Sequence, residues 1–223
     1  MKTAIEKQSI RVVMADDHVL LRDALVNLIN GFDDCRVTGV ADDGIQLLEL
    51  LKKQPAPDVL ILDLNMPRMD GFEAAYQVYK KYPDINILIL TMYDSEIALI
   101  RLLQVGVKGF LKKDIHPSDL RRALVSVAEG GYYYSHQATG KLANLFQKNH
   151  ANQTSIDRAL LNEMEIRFLK LASTDMTYKE IAAQMHMTPR AVDGLRDALF
   201  EKLDVKSRVG LAIYAVKNGI VTF

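Results

Sequence analysis

The sequence predicts two domains of different class, an α/β domain built on a parallel sheet and, after it, a small all-α domain. Three observations carry this. Over the first 130 residues, apolar runs of strand length alternate with stretches whose apolar residues recur every three or four positions. That alternation stops at Gly130-Gly131. From Asp157 onward, helical periodicity alone remains before the short tail. A chain of 223 residues is long enough for one large domain or two small ones at roughly 100–200 residues each. Its 49% hydrophobic and 25% charged residues supply real cores and exclude a disordered chain.

The strand-length runs are IRVVMA (10–15), RVTGVA (36–41), VLILDL (59–64), NILILT (86–91) and KGFLK (108–112). Between and after them lie the helical stretches Val19–Asn30, Ile45–Lys53, Gly71–Lys81, Ser95–Val105 and Pro117–Glu129. Continuous apolar strands alternating with helices predict a parallel sheet covered on both faces. Five such units suit a five-stranded, doubly wound sheet in the flavodoxin-like order. Gln137–Phe146 has the pattern of one more helix, and QKNHANQTS (147–155) is polar without periodicity and reads as a linker. Four helical pieces follow over 161–220, broken at DMT (175–177), HMTP (186–189) and DVKS (204–207). Thr188 before Pro189 is a good helix start, because a proline in the first turn loses no needed hydrogen bond. A short helix, a tight turn and a longer helix make a helix-turn-helix, whose second helix enters the major groove of DNA. The expected divisions are 8–132, 133–156 and 157–223.

Composition narrows the function. The 28 Lys+Arg balance 28 Asp+Glu, so the whole surface is no general magnet for nucleic acid, although one module can still carry a local basic face. No apolar run approaches the ~20 residues that cross a membrane, and MKTAIEKQSIR is not expected to be a signal peptide. A single cysteine, Cys35, excludes an internal disulfide framework and a four-cysteine zinc site. These features point to the cytoplasm. The five histidines, His18, His116, His136, His150 and His186, show no metal-ligand spacing, and the Met and aromatic residues are expected to be packing.

The ends of the predicted strands carry the chemistry. Ligands of open parallel sheets bind beyond the carboxyl ends of the strands. Here those ends are Asp16-Asp17, Asp63, Thr91 and Lys112-Lys113, so carboxylates, a hydroxyl and an amine converge on one rim. Any one of them could merely start a turn or cap a helix. Five at the ends of four strands are poorly explained that way. Clustered carboxylates repel, and a hard divalent cation such as Mg2+ relieves the repulsion. A carboxylate can also attack phosphorus and carry an acyl phosphate, with Mg2+ and a Lys ammonium neutralising the transferring group.

With these residues in view, 10–130 resembles the receiver domain of two-component response regulators. The resemblance rests on Asp16-Asp17, VLILDLNMPRMDG (59–71), LTMYD (90–94) and GVKGFLKKD (106–114). It implies that Asp63 is the phosphoacceptor, that Asp17 and Asp63 bind Mg2+ directly with Asp16 assisting through water, and that Asn65 adds its backbone carbonyl. It makes Thr91 the switch hydroxyl, Lys113 the phosphate-binding lysine with Lys112 as competitor, and Phe110 the aromatic switch residue. The phosphodonor it implies is a sensor histidine kinase or a small phosphodonor.

The second domain resembles the LuxR-type helix-turn-helix that follows a receiver in NarL/FixJ-type response regulators. The match runs through Leu161, Glu165, Leu169, Lys179-Glu180-Ile181-Ala182, Val192, Lys202-Leu203 and Arg208. It implies double-stranded DNA as partner, transcription regulation as function, and a homodimer when phosphorylated or DNA-bound. The chain departs from the pattern at Ala191-Val192-Asp193-Gly194-Leu195, and at Asp175, where the family usually has Gly. Asp193 and Asp197 replace residues that often present Lys to DNA. The expected phosphate contacts are Thr188, Arg190, Arg196, Lys202, Lys206 and Arg208. For Arg196 the competing role is an intrahelical pair with Asp193. Gly194 in mid-helix costs roughly 1 kcal/mol against Ala, which suggests close approach of DNA or of another helix. In the last helix Leu211, Tyr214 and Ala215 are expected in the core.

Two rival functions differ in class. A phosphatase working through an aspartyl phosphate usually has an acid two residues after its nucleophile, where this chain has Asn65. A phosphorylation-gated protein-binding module that has lost DNA is supported only by Asp193 and Asp197. The neutral chain divides unevenly, with 16 basic against 19 acidic residues over 1–134, 2 against 0 over 135–150, and 10 against 9 over 151–223. DNA affinity per protomer is therefore expected to be modest and strengthened by dimerisation.

Overall fold

Alternation of side chains along each strand sets the sheet. In a computed structural model, which describes residues 9–92, 96–135, 139–140, 161–218 and 220–221, the strands are β1 (Ile10–Ala15), β2 (Cys35–Ala41), β3 (Val59–Leu62), β4 (Asn86–Thr91), β5 (Gly109–Lys112) and β6 (Tyr133–Tyr134). All neighbours pair parallel in the order β2-β1-β3-β4-β5-β6. Val12 and Met14, Val59 and Ile61, and Leu88 and Leu90 bury one face against Ile29, Leu120, Leu124 and Val127. The intervening residues Val13, Leu60, Leu62, Ile87 and Ile89 are equally buried. A sheet buried on both faces explains why its strands read as unbroken apolar runs.

The helices between the strands are α1 (Val19–Asn30), α2 (Gly44–Lys53), α3 (Gly71–Lys81), α4 (Glu96–Gln104) and α5 (Pro117–Ala128). Local chemistry starts them. Asp43 accepts from the backbone N–H groups of Ile45 and Gln46, and Asp70 from that of Glu73. His116 caps α5, whose first residue is Pro117.

The expected five strands are six. Tyr133-Tyr134 is too short and too polar at its tips to stand out as an apolar run, yet it lies along β5, pairing Tyr133 with Gly109 and Tyr134 with Phe110. Tyr133 N–H donates to the Lys108 carbonyl at 2.9 Å, and the Tyr134 hydroxyl donates to the Val107 carbonyl at 2.9 Å. The outer backbone of β5 is thereby paired. β3 also stops at Leu62, two residues before the expected end. The expected helix at Gln137–Phe146, apart from residues 139–140, and the linker at 147–155 lie outside the described residues.

The chain divides into two compact units. The second is helical, with α6 (Glu163–Ala172), α7 (Tyr178–Gln184), α8 (Pro189–Leu203) and α9 (Arg208–Lys217). Reciprocal capping boxes start α6, between Asn162 and Glu165, and α7, between Thr177 and Glu180. Thr188 accepts from Ala191 N–H to start α8. Phe168, Leu169, Ile181, Val192, Leu199, Leu211 and Ala215 form the core, with Tyr214 packed against it. Among the described residues no helix is long and apolar enough to cross a membrane.

Candidate functional site

Strand register gathers the acidic rim. Ala15 at the end of β1 pairs with Ala41 and with Leu62, so the residues after β1 and β3 emerge side by side. Asp16 N–H then donates to the Ala41 carbonyl at 3.0 Å, and Asp63 N–H to the Ala15 carbonyl at 2.9 Å. Gly71 is required behind Asp63, because a Cβ there would lie 2.0 Å from the Asp63 carbonyl oxygen and 2.7 Å from Leu64 Cα. Gly71 N–H also donates to the Leu64 carbonyl at 2.9 Å, which ties the start of α3 to the loop carrying Asp63 and Asn65.

Of the two adjacent lysines, Lys113 reaches this rim. Its Nζ lies 2.8 Å from Asp16 Oδ2 and 3.3 Å from Asp63 Oδ2, with all three side chains at most 2% exposed. These are ion-pair distances without hydrogen-bond alignment. One ammonium thus faces two buried carboxylates. Burial pushes the Asp63 carboxyl up to about 6; Lys113 opposes the rise and the Asp16 charge adds to it. Asp63 Oδ1 is buried and has no hydrogen-bond partner. Thr91, buried at the end of β4, accepts from Lys113 N–H through its carbonyl at 3.0 Å. Phe110 is buried in β5 between Ile89 of β4 and Tyr134 of β6.

Asp17 is partly exposed beside the pair, and His18 stands with it. Among the described residues, Asp16, Asp17, His18 and Asp63 each offer a ligand atom within 4.8 Å of the others. Sequence spacing set His18 aside. Its signal is its place one residue after an acidic pair that ends a strand. The hard oxygens of this group suit a cation such as Mg2+, and the unpartnered Asp63 Oδ1 is an acceptor such an ion would satisfy.

In the helical unit, α7 meets α8 through a turn in which His186 is left-handed, with φ of 56°. Thr188, Arg190 and Lys206 are exposed. The other three expected DNA contacts already hold protein partners. Arg196 donates to Asp193 at 2.9 Å and to Asp197 at 2.9 Å, and its guanidinium lies over the Tyr178 ring at 5.1 Å. Lys202 Nζ donates to both oxygens of Glu165 at 2.8 Å, bracing the N-terminus of α6. Arg208 donates to the carbonyls of Ala172 at 2.9 Å and Thr174 at 2.7 Å, holding the C-terminus of the same helix. Gly194 is exposed, and a Cβ there would meet nothing within 4 Å, so among the described residues no neighbouring helix requires the glycine.

A parallel sheet with an acidic pocket at its carboxyl edge, followed in the chain by a helix-turn-helix, points to a class of DNA-binding regulators. Comparison with known families agrees. Residues 12–125 match the response regulator receiver domain, and residues 159–215 match the luxR family of bacterial regulatory proteins. The chain is 34% identical to the oxygen regulatory protein NreC of Staphylococcus carnosus over 217 residues, covering 96% of this chain and 100% of that one. It is 31% identical to the response regulator GacA of Pseudomonas viridiflava over 212 residues, covering 95% and 98%. RcsB of Salmonella enterica serovar Typhimurium, solved bound to the promoter rprA with the phosphomimetic BeF3-, shares the fold at a TM-score of 0.67 and 22% identity, covering 93% and 98%.

This chain belongs to the response regulator family, with a receiver followed by a LuxR-type DNA-binding domain. It is a two-component regulator of transcription, and its receiver implies a histidine kinase as partner.

Proposed function

We propose that Asp63 receives the phosphoryl group and that its modification controls DNA binding by α8. The observation that carries this is the burial of Asp63 beside the Lys113 ammonium with one carboxylate oxygen left unpartnered. In the transfer, an Asp63 oxygen attacks phosphorus, the new P–O bond forms as the P–N bond of a phosphohistidine or the P–O bond of a small acyl phosphate breaks, and the leaving group departs with its electron pair. Lys113 stabilises charge on the transferring oxygens. Asp17 and Asp63, Asp16 through water, and the Asn65 carbonyl would hold Mg2+, which supplies further neutralisation when bound. Lys113, drawn to the phosphoryl group, gives up part of its contact with Asp16. Thr91 supplies a hydroxyl to the phosphoryl oxygens, and Phe110 repacks in response.

In the DNA-binding domain, Thr188, Arg190 and Lys206 make the phosphate contacts. Arg196 orients Asp193 and Asp197 on α8, where a carboxylate can accept from a cytosine amine in the major groove. Lys202 and Arg208 brace the domain that presents the helix. Exposed Val209 and Ile213 on α9 support pairing of two copies, and hence a homodimer in the phosphorylated or DNA-bound state. The working divisions are 8–132 for the receiver, 133–156 for the connection and 157–223 for the DNA-binding domain, in a cytoplasmic protein that regulates rather than turns over a substrate.

Incubation with acetyl phosphate and Mg2+ tests the receiver. Label on the parent chain and none on Asp63→Asn is expected, and persistent label on that variant overturns the assignment. Selection of genomic fragments with and without BeF3- tests the output. If no duplex is enriched in either state, the DNA reading fails, and a protein-binding role for the acidic face of α8 takes its place.

A further inference from the structure

The acidic pocket contains a nitrogen donor beside its carboxylates, His18. Lys113 faces the Oδ2 atoms of Asp16 and Asp63. On the opposite side, His18 Nδ1 lies 2.9 Å from Asp17 Oδ1 and 3.3 Å from Asp16 Oδ1. Two adjacent ligands of an octahedral ion at ~2.1 Å from its centre stand about 3 Å apart, so these atoms already have the spacing of neighbouring ligands. Asp63 belongs to the same group of donors, and its Oδ1 is buried and unpartnered.

His18 is also held in place. Its N–H donates to Asp16 Oδ1 at 3.0 Å, its carbonyl accepts from Arg22 N–H at 2.8 Å, and the Arg22 guanidinium donates to the Asp16 carbonyl at 2.8 Å. Although His18 sits at the N-cap of α1, its side chain caps nothing. The imidazole is 60% exposed, which leaves Nε2 free to carry the ring proton in water.

We propose that His18 is a metal ligand through Nδ1 and makes the pocket a mixed oxygen and nitrogen site that favours borderline transition ions such as Ni2+ relative to Mg2+. The inference rests on the reading of the acidic pocket as a divalent-cation site. Imidazole nitrogen suits Ni2+ and similar borderline ions, whereas Mg2+ keeps oxygen ligands and waters. Ligation requires Nδ1 to present its lone pair to the ion while Nε2 carries the ring proton. A pocket of carboxylates alone would rank these ions by charge and size, and His18 adds a preference by ligand type.

The test uses the full chain without a histidine tag, loaded with Mn2+ or Ni2+ alone. Pulsed EPR of the Mn2+ form is expected to show a directly bound nitrogen that changes to the 15N pattern on labelling of histidine. His18→Ala and His18→Gln should lose that coupling. Both should bind Ni2+ more weakly, by at least the roughly tenfold that loss of an outer-shell partner causes, while Mg2+ affinity changes little. Nitrogen coupling that persists in both variants, or unchanged Ni2+ affinity in both, overturns the proposal and leaves the carboxylate site standing. If neither ion nor Mg2+ binds the parent chain, the cation-site reading itself falls, and this inference with it.

Discussion

Replacing Asp63 with Asn removes a carboxylate that the fold buries at a cost. The Asp63 carboxyl is pushed up to about 6, chiefly by burial, against about 3.9 in an unfolded chain. At about 1.36 kcal/mol for each pH unit, that gap corresponds to roughly 3 kcal/mol. The sign follows from proton linkage. The folded state holds this proton more tightly, so stability falls as pH rises from about 4 to about 6 and levels off above. Asn carries no charge and escapes the penalty. In chelator at pH 7.5, Asp63→Asn should be more stable than the parent by about 3 kcal/mol, narrowing to about 1 kcal/mol at pH 4.5. On the proposed metal site, saturating Mg2+ should close much of the gap, because an ion held by the folded parent carboxylate would stabilise the folded state. Amide exchange at Leu60–Leu62 and Leu88–Leu90, together with urea midpoints, isolates the sheet-bearing domain. A variant no more stable than the parent at pH 7.5, or a gain that does not shrink toward pH 4.5, refutes the electrostatic account.

Gly71→Ala forces a Cβ to 2.0 Å from the Asp63 carbonyl oxygen; backbone must move, at a cost of about 3 kcal/mol, and acetyl-phosphate labelling should drop with it, whereas a parent-like urea midpoint contradicts the close approach. Lys202→Met leaves Glu165 without its ammonium and should destabilise the DNA-binding domain by about 1–3 kcal/mol. The salt slope of its DNA binding should not change, and a slope lower by about 1 would mark Lys202 as a phosphate contact instead. Arg190→Ala is expected to do the reverse, lowering the slope by about 1 while stability stays within about 0.5 kcal/mol.

The course of β1, α1, α3 and β4 was legible in the sequence to the residue, because period-two and period-3.6 patterns are local and two buried faces leave little ambiguity. β6 was not legible. A two-residue strand has no period of its own, and Tyr133-Tyr134 became one only because β5 offered an unpaired edge. The acidic rim could be foreseen without coordinates, since parallel strands bring their carboxyl ends to one edge whatever the details of packing.

Sequence by itself determined the two domains, the gathering of Asp16, Asp17, Asp63 and a lysine at one rim, and the helix-turn-helix, all of which follow from chain-local patterns and topology. Tertiary structure decided which lysine reaches Asp63, that His18 stands among the carboxylates, and which acceptors Lys202 and Arg208 find within the second domain. Lys202 finds its acceptor 37 residues away at Glu165, and Arg208 finds its own 36 residues away at Ala172. Nothing along the chain announces those partners. A long charged side chain takes the nearest acceptor in space, and only packing of one helix against another says which acceptor that is.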